Sequence, residues 1–312
     1  MQAKRSVYNK INRFDKKKKS KLPMNNKLYQ FKVVKFSLKN NNAALLENSL
    51  NNIQEEFSPD NKYIEIAVNN NSTECLQMLL LDGRCTVINS IGSIETAIKK
   101  NYHICLRILM SDIGFFNTSV IDNMKLSIFY DSVDCLRLLF NIPYQIDPQL
   151  FNEFIEYAIL KNSHQCLKLI FETEIFENCK IDYNYDKYIL HSNNVTILNV
   201  LLDNVRYTAD SLGTDIIVYF IERGLMISAS ALLSHRKFSL SYEGMYRLQY
   251  ILSDYNFRII KKIVEHPTFV NAISDCGELE FEDIMKNNNY LFEYLESNNY
   301  DLTKVFFPTQ TY

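Results

Sequence analysis

Four cysteines stand at nearly equal intervals: Cys75, Cys105, Cys135 and Cys166 are 30, 30 and 31 residues apart. Thiols in series suggest two chemistries, disulfide bonding and metal ligation. Helices of neighbouring repeats pack about 8–10 Å apart, whereas a disulfide holds its Cα atoms within about 7 Å, so equivalent cysteines are not expected to bridge. A structural zinc site draws on clustered ligands, usually cysteines two to four residues apart, and no such spacing occurs. The expected role is that of a small core residue. Histidines show the same habit. His103 and His164 both lie two residues before a ladder cysteine, and His235 and His266 each lie seven after its later counterparts, Ser228 and Ile259. The chain has no Gly-x-Ser-x-Gly, no phosphate-binding glycine-rich loop and no His-Glu-x-x-His, and its carboxylates are scattered. No catalytic residue, cofactor or metal ligand is assigned, and an enzyme is not expected.

Each cysteine opens the same apolar signature: CLQMLL, CLRILM, CLRLLF and CLKLIF. Further steps of 31 residues reach Ile197, Ser228, Ile259 and Tyr290. Positions one, four and five beyond these eight starts are apolar in every copy. In a chain that is 47% hydrophobic, chance gives that agreement about once in 10⁸. Residues spaced 0, 1, 4 and 5 make one stripe of a helix, here called helix B. Eight residues before each start, Ala67, Ala97, Ser127 and Ala158 close an earlier apolar helix, helix A. Ser58-Pro59-Asp60 and Asp147-Pro148-Gln149 place a capping side chain ahead of proline at the start of helix A, where no amide hydrogen is needed. Between the helices lie polar turns rich in asparagine, such as Asn69-Asn70-Asn71, Lys100-Asn101, Lys161-Asn162 and Ser192-Asn193. Asparagine tolerates the left-handed backbone and reverses the chain at little cost. Each unit is then a helix pair that hides its apolar face only against the next unit.

A weaker unit precedes these, with Ser37, Leu46 and Leu50 in register and Ser49 polar, as suits an N-terminal cap. Glu293 and Glu296 make the last helix B more polar, as suits a C-terminal cap. The expected class is all-α: one solenoid of eight or nine helix-pair repeats over residues 28–304, with a basic, disordered arm at 1–27 and a tail at 305–312. Tyr157, Tyr188, Tyr219, Tyr250 and Phe281 form a further ladder of 31-residue steps and are expected in the core. Scarce proline (6) and glycine (7) agree with helices joined by short turns. No apolar run suggests a membrane span or signal peptide, and seven cysteines, an odd number, fit a reducing compartment. An intracellular protein of cytoplasm or nucleus is expected.

The segment Ala67–Arg84, AVNNNSTECLQMLLLDGR, resembles the core of an ankyrin repeat. The resemblance sets Ala67-Val68 on the family's paired alanines, Asn71-Ser72 on its Gly-His turn and Cys75-Leu76 on its paired β-branched positions. Leu79-Leu80 fall on its leucine run, and Gly83 on the glycine ending helix B. It covers roughly residues 30–300 and is poor after residue 185. Where the family has Thr-Pro-Leu-His, this chain has Lys62-Tyr63-Ile64-Glu65, and its period of 30–31 residues is shorter than the family's 33. Stubby or absent β-hairpins are therefore expected. The Asn/Lys-rich, tryptophan-free composition resembles that of divergent ankyrin proteins of amoeba-infecting giant viruses or AT-rich protists. The family implies a protein–protein interaction scaffold with a protein partner.

Charge is unevenly spread. Residues 1–39 hold 13 lysines and arginines and one acid, a net +12, leaving residues 40–312 at −14. Lys4-Arg5 followed by Lys16, Lys17, Lys18 and Lys19 resembles a bipartite nuclear-import signal. A solvated tail and a nonspecific polyanion binder are the other readings of the arm. The alternative function is a nucleic-acid-associated or nuclear adaptor that uses this arm, with the solenoid recruiting other proteins.

Overall fold

The computed structural model describes residues 27–53, 62–85, 91–112, 118–142, 149–176, 194–204, 215–235, 238–240 and 257–269, apart from a few positions within them, and isolated positions elsewhere. Among the described residues there are fourteen α-helices and no strand. None of these helices is long and apolar enough to cross a membrane. By its contacts the chain divides into two compact units, Met1–Ser119 and Val120–Tyr312.

The first unit contains three helical hairpins: α1 (Lys27–Lys39) with α2 (Ala43–Asn52), α3 (Lys62–Asn69) with α4 (Thr73–Leu81), and α5 (Ile91–Lys99) with α6 (His103–Met110). First helices pack on first helices, α1 on α3 on α5, and second on second, α2 on α4 on α6. The second unit contains α7 (Val120–Phe129), α8 (Val133–Phe140), α9 (Gln149–Lys161), α10 (His164–Glu172), α11 (Val195–Asp203), α12 (Asp215–Glu222), α13 (Met226–Leu233) and α14 (Phe257–Val264). Here α7 packs on α9, and α8, α10, α11, α13 and α14 pack successively on one another. The segments before α11 and α14, where the periodicity places first helices, lie outside the described residues, as do the basic arm and most of the expected C-terminal cap, of which Glu293 is helical and exposed.

The apolar stripe is the core. Leu76, Leu106, Leu136, Leu167, Leu198 and Ala229 are buried, and so are Leu79, Leu109, Leu139, Ile170, Leu201, Leu232 and Ile263. At the fifth position burial weakens in the first unit, where Leu80 and Met110 are only half-buried. Ser49 is buried at its polar register position and satisfied, its hydroxyl donating to the Leu45 carbonyl at 2.8 Å. Asp147 caps α9 as expected, its carboxylate accepting from the Gln149 amide at 2.9 Å.

Each turn between first and second helix is set by one left-handed residue. Asn41, Asn71, Asn101, Asp131 and Asn162 have φ between 48° and 59°, and Gly224 continues the series at 70°. The amide after each reaches back to the first helix, as in Ser72 to the Ala67 carbonyl at 2.8 Å and Ser163 to Ala158 at 2.9 Å. This is the Schellman closure, which satisfies helix-end carbonyls and needs a residue that accepts positive φ.

A repeating anchor has no counterpart in the sequence expectations. Ten residues after the helix-B start stand Cys85, Phe115, Phe176, Phe238 and Phe269, all buried. Each phenylalanine amide closes a turn on the carbonyl three residues earlier: Asp112, Thr173, His235 and His266. Phe176 lies 4.9 Å from the ring of Phe151 and 5.7 Å from that of Phe140. The shared place of His235 and His266 is therefore a turn position. Buried His266 also receives the Thr268 amide on Nδ1, at 3.3 Å.

Candidate functional site

The cysteine ladder proves to be part of the joint between repeats. Cys75, Cys105, Cys135 and Cys166 are wholly buried and free of disulfides. The Cys75 thiol donates to the Ser37 carbonyl and the Cys166 thiol to the Ser127 carbonyl, both at 3.6 Å, each in the preceding repeat's first helix. Burial pushes the Cys75, Cys85 and Cys105 thiols up to about 11, and Cys166 is raised as well, so the reactive thiolate is suppressed. Among the described residues no three His, Cys, Asp or Glu side chains cluster as metal ligands would.

The polar turn residues fasten one repeat to the next. Ser72 and Ser163 precede second helices but do not cap them; their hydroxyls donate to the Leu38 and Ile128 carbonyls of the preceding first helices. The helix amides are capped from the preceding turn instead. Asn41 accepts from the Cys75 amide at 3.3 Å, and Asp131 accepts from the Cys166 amide at 2.9 Å. The His164 Nδ1 lies 3.4 Å from the Asp131 carboxylate. In the first unit Arg84 donates to the Leu50 and Ile53 carbonyls at the end of α2, at 3.2 and 2.9 Å. Arg84 also hydrogen-bonds the Asp82 carboxylate, which holds that carboxyl below its ordinary range.

With the repeated positions committed to stacking, variable exposed positions are left for contact with other molecules. On the first helices of the first unit the last turns present polar residues, Glu65 and Asn69 on α3 and Glu95 and Lys99 on α5, while Tyr29 on α1 and Ile91 at the start of α5 are exposed apolar residues. In the second unit the same register turns apolar. Phe129 on α7 is 44% exposed and Leu160 on α9 is 54% exposed, both in the place of Asn69 and Lys99. Half-buried Leu126 and Tyr157 lie one turn earlier on the same helices. The Lys161 ammonium lies over the rings of Phe129 and Tyr157, 5.0 and 5.5 Å from their centroids. Beside them Lys125 pairs with Glu153 at 3.0 Å.

At its two described positions the aromatic ladder lies at the edge of the core rather than inside it as expected. Tyr157 and Tyr219 are half-buried, each under a basic residue four positions on, with Arg223 5.4 Å from the Tyr219 ring. Their register position also holds Ile66, Thr96 and Leu126, half-buried too, so it marks the margin of the stripe. Tyr188, Tyr250 and Phe281 lie outside the described residues. So do Lys4, Arg5, Lys16, Lys17, Lys18 and Lys19, the residues of the import-like cluster.

An open groove of about 420 Å³ runs between α10 and α11, lined by Phe171 and Val200 together with polar residues such as Asn199 and Asp203. Set beside known proteins, the chain matches no family model, no curated protein and no solved structure.

Proposed function

We propose that the chain is a non-enzymatic protein–protein interaction scaffold, an ankyrin-like helical solenoid that binds through the exposed face of its first helices. The observation that carries this reading is a division of labour. The repeating residues are buried or spent on joints between repeats, whereas the exposed first-helix residues differ from repeat to repeat, and the register of Asn69 and Lys99 turns apolar at Phe129 and Leu160. Withdrawing a large apolar side chain from water contributes about 1.5–3 kcal/mol, so such a pair favours a covering partner. The packing of first helix on first helix and second on second within each unit supports the solenoid arrangement.

The test is differential capture. Tagged full-length chain and its Phe129→Asn/Leu160→Asn variant are used as baits in cells, and recovered proteins are identified by mass spectrometry. A protein recovered by the parent and lost with the variant supports the reading. Identical recoveries contradict it.

The +12 charge of residues 1–39 favours a second reading, a nuclear or nucleic-acid-associated adaptor of the same build. Binding to DNA or RNA that weakens steeply with salt and disappears on deleting residues 1–25 supports that reading. A residue 1–25 fusion that leaves a fluorescent reporter diffuse in the cytoplasm removes the import role.

A further inference from the structure

Lys100 and Lys161 occupy the same place in their repeats, five residues before the helix-B cysteine. Each reaches back to the last residue of the preceding first helix, but they meet different chemistry there. Lys100 donates to Asn69, to its carbonyl at 2.9 Å and its side-chain oxygen at 3.2 Å. At the corresponding place Lys161 finds Phe129. Its ammonium is held over two rings and has no oxygen acceptor among the described residues. Ring faces attract a cation but supply no lone pair for its three N–H donors. The result is a positioned, unneutralised charge next to two exposed apolar side chains, Phe129 and Leu160.

We infer that this face binds an acidic–apolar protein segment, in which an Asp or Glu carboxylate accepts from Lys161 and a Leu, Ile or Phe side chain sits against Phe129 and Leu160. The inference rests on the interaction-scaffold reading and adds the partner's chemistry to it. A basic segment would bring a second cation against Lys161. A nucleic-acid strand carries a charge at every phosphate and would bring some of them against Glu153, exposed on α9, and half-buried Glu156. A peptide can place a single carboxylate on Lys161 and keep the residues beside it apolar, which matches both the cation and the surface around it.

Phe129→Asn restores the arrangement that the first unit already contains, with an asparagine under the lysine, so the variant keeps its fold. Random short peptides displayed on phage are selected on full-length protein. Enriched peptides are then titrated, by fluorescence anisotropy, against the parent, Phe129→Asn and Lys161→Glu, with circular dichroism confirming that both variants remain helical. Enriched sequences are expected to join Asp or Glu to Leu, Ile or Phe. Affinity is expected to fall at least about tenfold on either substitution and on amidating the peptide carboxylates, the scale of a charge-assisted hydrogen bond. Basic enriched sequences, no enrichment, or equal binding to parent and variants overturns the inference. So does self-association of the parent that Phe129→Asn abolishes, since a second copy would then cover the face. Peptides that bind parent and variants equally leave the scaffold reading standing, because that reading fails separately, in the differential capture from cells.

Discussion

A left-handed residue with a β-carbon costs about 1–2 kcal/mol, yet four asparagines and one aspartate accept that conformation here at intervals of 30 or 31 residues. Their short polar side chains ease the cost and leave an oxygen for the next repeat. Asn162, at φ 59°, therefore tolerates glycine but not a β-branched side chain. Asn162→Gly is expected within about 0.5 kcal/mol of the parent in urea unfolding, and Asn162→Val about 1–2 kcal/mol less stable. The asparagine-rich turns were legible in the sequence because only this backbone geometry explains asparagine at a fixed place. The cysteine position was legible as small and buried, and its hydrogen bond was not, since the acceptor lies in another repeat. Ser228 fills the same place at 2% exposure. Cys105→Ser is accordingly expected to stay within about 1 kcal/mol, keeping size and donor, whereas Cys105→Phe overpacks the joint and loses about 1–3 kcal/mol or more, as thermal unfolding will show. His266 supplies a pH signature. Burial lowers its folded-state pKa below the ordinary 6.5, so the unfolded chain binds the proton more readily. Its contribution to stability is complete above pH 6.5 and is lost as pH falls through the lower folded value. Unfolding midpoints measured down the acid range are expected to drop over that window, with a smaller drop for His266→Asn.

At the scale of helices, the second helix of a repeat is capped from outside itself. Serine before a helix reads as that helix's own cap, and Ser72 and Ser163 would be assigned so from sequence; their hydroxyls instead bond the repeat before. The cap on α10 comes from Asp131, so helix start and repeat stacking are one event. Asp131→Gly keeps the left-handed turn and removes the cap, and is expected to cost about 1 kcal/mol in urea unfolding, while Asp131→Asn recovers most of it. Helix identity and register were legible because the apolar stripe recurs with a helical period. The buried anchor at Phe115, Phe176, Phe238 and Phe269 escaped notice because Cys85, Gln145 and Tyr207 hold its place in other copies and it lies in the segment linking repeats, away from the helical stripe. Tyr157 and Tyr219 were misplaced for the opposite reason, a regular spacing that records a stripe's edge as faithfully as its centre.

At the scale of the molecule, regularity and function are read from opposite signals. What repeats builds the stack, and what breaks the repeat marks the proposed contact face, as Phe129 and Leu160 do among polar equivalents. That face could have been found in the sequence only by asking where the register departs from itself. The proposed arrangement makes a further demand: repeats are interchangeable modules whose energies come from neighbours, so one whole period can be removed and the flanking repeats can close on each other. Deleting residues 131–161 joins Tyr130 to Asn162 and puts one left-handed turn residue in the place of another. Far-UV circular dichroism and urea unfolding of that deletion test the central claim most directly. The account predicts helicity per residue close to the parent's and a single cooperative transition at lower urea. A deletion protein that has lost its helical signal, or that unfolds without cooperativity, would contradict it.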